Sequence, residues 1–145
     1  LHGFAGRGME QQLESPSVKL APSQPGGTAP MTRKEVVDGK IAFVEESLAK
    51  VKKLRQTDDT RGIIEASIAL QEYVLGVYRD DYQQLAKLYD TGAPPAEIAQ
   101  LAAAVAMKHG PRYQTLSDQL ATAGKTYAAK HNIKVIWDVQ TAPPP

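Results

Sequence analysis

Residues 60–89 read TRGIIEASIALQEYVLGVYRDDYQQLAKLY. One row at helical spacing runs Ile64, Ile68, Gln71, Leu75, Tyr78, Tyr82, Leu85 and Tyr89. A second row, one position back, runs Ile63, Ser67, Leu70, Val74, Val77, Asp81, Gln84 and Leu88. A single row is a narrow seam, whereas two adjacent rows make a wide apolar face that packs against two neighbours. Arg61, Glu65, Glu72, Arg79, Asp80, Gln83 and Lys87 leave a strip for water. The stretch therefore predicts one helix of roughly 45 Å at 1.5 Å per residue. It is expected to be the middle rod of an all-α, antiparallel three-helix bundle running up, down and up.

The flanking segments supply the other two rods. Thr32 and Glu35 have capping-box spacing, which satisfies two backbone donors at a helix start. Val37, Ile41, Val44, Leu48 and Val51 then recur at steps of four and three, with Val36 and Phe43 widening the row. Glu46 and Lys50 form a favourable i,i+4 pair. Lys50, Lys52, Lys53 and Arg55 place cations at the C-terminal end of the helix, where its dipole favours them. In the first turn, Thr57 or Asp59 is expected to cap the middle helix. Within that helix Gly76 lies among Val74, Leu75 and Val77, a position that predicts a close helix approach. Gly92 is the expected left-handed stop, and Pro95 with Glu97 opens the third helix. The third face runs through Ile98, Ala102, Val105, Tyr113, Leu116, Leu120, Ala123 and Tyr127, with an expected stop at Asn132. His109-Gly110-Pro111-Arg112 interrupts it, and the proline predicts a kink or break there.

The ends read differently. Residues 1–30 hold four prolines and five glycines. That punctuation predicts a flexible arm, residues 1–30, ahead of a bundle over residues 31–132. Residues 133–145 are expected to form an extended strap, because Ile133, Val135, Trp137 and Val139 alternate with polar residues. The chain begins at Leu1 rather than methionine. With the leader-like arm, this favours a processed protein, exported or imported into an organelle, over a cytoplasmic one.

Chemistry is sparse. The 145 residues carry a net charge of +1, and there is no cysteine. Thiolate metal sites, disulfides and a cysteine nucleophile are thereby excluded. Basic residues are matched by acids along every helix, so no nucleic-acid surface is expected. Nothing approaches the run of about 18 apolar residues that a membrane span needs. His2, His109 and His131 show no paired or Glu-x-x-His spacing, and no metal or other cofactor is expected. The adjacent acids Asp80 and Asp81 point about 100° apart on a helix and form no acid–base pair. Ser47, Ser67 and Ser117 sit in helix interiors without a strained turn.

A motif-free helical rod with long arms predicts a non-catalytic accessory or scaffolding subunit that binds partner proteins. The partner-binding candidates are Phe4 and Leu20 in the first arm, Val135, Trp137 and Val139 in the last, and the tyrosine row Tyr78, Tyr82 and Tyr89. The alternative is a small-ligand-binding bundle, with a pocket near the Pro111 kink lined by Tyr78, Tyr82, His109 and Tyr113.

Overall fold

The computed structural model describes residues 4–134. Val135, Trp137 and Val139, with the strand-like reading of their segment, lie outside the described residues.

The described chain is mostly helical. Helix α1 spans Arg7–Glu14, strands β1 and β2 span Val18–Leu20 and Thr28–Pro30, and helix α2 spans Arg33–Lys52. Helix α3, Arg61–Val77, runs through a π-turn at Tyr78–Tyr82 into α4, Gln83–Asp90, and α5 spans Pro95–Lys130. Helix α2 packs against α3, the π-turn and α4, while α5 packs against α3 and α4. The core lies between these rods. It holds Val37, Val44 and Leu48 of α2, Leu70, Val74, Leu75 and Val77 of α3, Leu85 and Ala86 of α4, and Val105 and Leu116 of α5.

The helix ends follow local chemistry. The Thr32 hydroxyl accepts from the Glu35 amide at 3.1 Å, and the Glu35 carboxylate accepts from the Thr32 amide at 2.8 Å, a complete capping box. Asp90 adds a cap from elsewhere in the chain. Its two carboxylate oxygens accept from the Arg33 and Lys34 amides at 2.9 and 3.0 Å. Anionic oxygens on the first turn of a helix complement both its free donors and its dipole. Just beyond Asp90, past the C-terminal end of α4, Gly92 has φ 70°. The Ala93 amide donates to the Leu88 carbonyl and the Gly92 amide to the Tyr89 carbonyl, the paired bonds of a Schellman stop. Asn132, at φ 54°, ends α5 in the same way, with the Ile133 amide on the Ala128 carbonyl. Neither Thr57 nor Asp59 caps α3 by its side chain. Thr57 instead takes the Arg61 amide on its backbone carbonyl, and Asp59 pairs with Lys130 of α5.

Four sequence expectations are corrected. Residues 4–30 are not an extended arm: they contain α1 and an antiparallel hairpin pairing Val18 with Pro30 and Leu20 with Thr28. Pro22, Pro25 and Gly26-Gly27, the glycines both at positive φ, lie in the hairpin loop. Met9 and Leu13, four residues apart on one face of α1, are 1% and 0% exposed. The middle helix is not uniform, because the π-turn interrupts it. Nor does Gly76 mark a close approach: a Cβ there would meet nothing within 4 Å. Pro111 lies within one continuous helix, α5.

Candidate functional site

The π-turn is where the molecule departs most from regular structure. Its i→i+5 bonding fits one extra residue into the turn, and such bulges often mark functional sites. Here it sends Tyr78 and Tyr82 into the core and holds Asp81 at the α5 interface.

On the inner side, Phe4 fills the space between Tyr78, Tyr82 and Tyr113. Its ring centroid lies 5.5 Å from Tyr78, 5.9 Å from Tyr82 and 4.7 Å from Tyr113. The first two are edge-on, the geometry that the ring quadrupoles favour. The Ala5 amide donates to the Tyr82 hydroxyl at 3.0 Å, and Ala5 has φ 52°, in the left-handed region that alanine seldom occupies. Burial pushes the Tyr78 hydroxyl well above the usual phenol range. Burial likewise pushes Tyr82 up to about 12, partly countered by the bond from Ala5. Helix α1 continues the contact through Met9 and Leu13, and the Arg33 guanidinium donates from Nε to the Leu13 carbonyl at 3.0 Å. Arg33 also stands 5.8 Å over the Tyr89 ring.

On the outer side, three polar residues form a chain. The Tyr73 hydroxyl lies 2.7 Å from Nδ1 of His109, and Nε2 of His109 lies 2.8 Å from Oδ2 of Asp81. His109 is 7% exposed, so this chain satisfies a buried imidazole on both sides. Lys108 adds a bond to the Asp81 carboxylate at 3.2 Å. Burial pushes the Asp81 carboxyl up, but the bonds from His109 and Lys108 outweigh it and hold the group below its ordinary range. Burial raises the Tyr73 hydroxyl, against the opposing influence of Arg112 and Lys108.

The residues singled out by sequence thus separate. Phe4, Tyr78 and Tyr82, expected to face partners, are 5%, 3% and 3% exposed and belong to the core. Leu20 is 86% exposed. Tyr89 is half-buried. The structure brings Tyr78, Tyr82 and Tyr113 together, as a pocket would need, but Phe4 occupies the space between them. His109 faces Tyr73 and Asp81, neither of which the sequence connects to it. The only clue was Asp81 standing in an apolar row.

A groove of about 580 Å³ opens beside α2. Met31, Val36, Val44 and Tyr78 line it, with Phe43 at one side and Ser17 at the base of the hairpin. Phe43 is 64% exposed, and Val18 on the hairpin is 65% exposed. Among the described residues no group of three histidines or acids could hold a metal ion, and no helix is long and apolar enough to cross a membrane. No protein-family model, curated protein or solved structure matches the chain.

Proposed function

We propose that the protein is a non-catalytic accessory or scaffolding subunit that binds a partner protein. The observation that carries this reading is the groove between α2 and the hairpin. Phe43 exposes a large apolar side chain at its rim, and the hairpin that adjoins it at Ser17 exposes two more, Val18 and Leu20; exposed aromatic and aliphatic anchors near a concavity are the ordinary substance of interface hot spots. The hairpin presents short strand edges next to the same groove, which an extended partner segment can extend by backbone bonding. In this reading the three rods run up, down and up, and the residues beyond 134 supply further contact through Val135, Trp137 and Val139. A processed, exported or imported protein suits such a role. A photo-crosslinking side chain placed at Phe43 in the source cells tests the proposal. One protein should be captured in defined stoichiometry, and the adduct should vanish when Leu20 and Val18 are both changed to Asp. Capture that is absent, or indifferent to those changes, refutes it.

A further inference from the structure

The chain Tyr73–His109–Asp81 has the order of a nucleophile, a base and the group that orients the base. An ionised carboxylate accepts hydrogen bonds and donates none. Nε2 of His109, 2.8 Å from Asp81, therefore carries the hydrogen. In the neutral ring Nδ1 then offers its lone pair, and the Tyr73 hydroxyl donates to it across 2.7 Å. An imidazole so fixed is placed to take the hydroxyl proton as the oxygen attacks an electrophile. Tyr73 is half-buried while His109 is enclosed, so Tyr73 is the more solvent-exposed of the two.

The surroundings select the electrophile. Lys108 and Arg112 stand one turn apart on α5, flanking His109, and both act electrostatically on the Tyr73 oxygen. Lys108 is bound to Asp81 but its side chain remains 66% exposed. Two cations beside an activated hydroxyl favour an anionic group, and a phosphoryl group carries a charge of about −1.5 to −2 once transferred. We propose that Tyr73 is a modification site that accepts a phosphoryl group, with His109 as its base and Asp81 as the residue that positions that base.

In the transfer, a bond forms between the Tyr73 oxygen and phosphorus. The bond from phosphorus to the donor's leaving oxygen breaks, and that oxygen keeps the electron pair. The Tyr73 proton passes to Nδ1 of His109. The imidazolium then donates to the new phosphotyrosine while Asp81 holds its other face, and Lys108 and Arg112 balance the added charge. Tyr73 holds one hydroxyl, so the chain takes up a single phosphoryl group at this site. This inference is independent of the partner-binding groove, whose lining includes none of Tyr73, Asp81 and His109.

The test uses the full chain with two donors in separate arms: acetyl phosphate as a small acyl phosphate, and ATP with magnesium as a nucleotide. Intact mass and peptide fragmentation should locate one phosphoryl group on Tyr73, absent from Tyr73→Phe. The arm that works identifies the donor class. His109→Gln should slow transfer by about 100-fold or more, the usual worth of a general base. Asp81→Asn, which keeps the imidazole but frees its orientation, should slow it while the circular dichroism spectrum is unchanged. Should His109→Gln not fold, Asp81→Asn decides. No phosphoryl group on Tyr73 from either donor overturns the proposal, as does an undiminished rate in the folded variants.

Discussion

Replacing Phe4 with alanine separates a structural N-terminal segment from a loose arm. Phe4 is 5% exposed and touches three tyrosine rings. Truncating a buried phenylalanine costs about 3–5 kcal/mol, of which the cavity left behind is a part. The lower end applies here, because Phe4 lies outside regular structure ahead of α1, where the backbone can relax into the gap. With a urea slope of about 2 kcal/mol per molar, a loss of about 3 kcal/mol lowers the unfolding midpoint by about 1.5 M. Equilibrium unfolding followed by far-ultraviolet circular dichroism measures this directly. The companion Leu20→Ala, at an 86% exposed site, should move the stability by no more than about 0.5 kcal/mol. Tyr82→Phe keeps the ring and removes only the acceptor for the Ala5 amide, and should cost about 1 kcal/mol. A Phe4→Ala loss below about 1 kcal/mol, equal to that of Leu20→Ala, would refute the docking of residues 4–14 against the π-turn.

Three other outcomes are expected. Asp90→Ala removes both oxygens from the start of α2 and should lower stability by about 1–2 kcal/mol in thermal or urea unfolding; Asp90→Asn, retaining one acceptor, should lose less. Gly76→Ala should raise stability by up to about 1 kcal/mol, since the helix gains propensity and the added methyl meets nothing within 4 Å; a loss would reveal a contact that the packing does not contain. Asp81 titrates below its ordinary value in the folded chain, so the folded state binds fewer protons than the unfolded one as pH falls through that region. Its contribution is complete above the unfolded value of about 3.9 and disappears as pH drops through the folded one. Asp81→Asn should therefore flatten the acid limb of a midpoint-against-pH curve below about pH 4.

Much of the fold is written in local pattern. The row Val37, Val44, Leu48 and the rows of residues 64–77 bury as their spacing dictates, because a 3.6-residue period leaves only one face to shield. The capping box at Thr32 and the stops at Gly92 and Asn132 depend on residues within a turn of each other, so a short window of sequence contains all of their physics. Pro95 and Glu97 open α5 for the same reason. The candidate site was only partly legible. His109 could be read as a satisfied histidine, but its partners Tyr73 and Asp81 come from 36 and 28 residues away, a separation at which spacing carries no information.

What the chain alone determines is therefore the presence of the long amphipathic rods, their buried faces and most of their ends. Tertiary structure alone decides that Phe4, Met9 and Leu13 complete the core, that Asp90 caps α2, and that the middle rod widens into a π-turn. The physical reason is the same in each case. Glycine and proline weaken residues 1–30 locally, yet three apolar side chains gain more from burial against Tyr78, Tyr82 and α2 than the backbone loses in being ordered. That balance exists only once the other rods are in place to receive them.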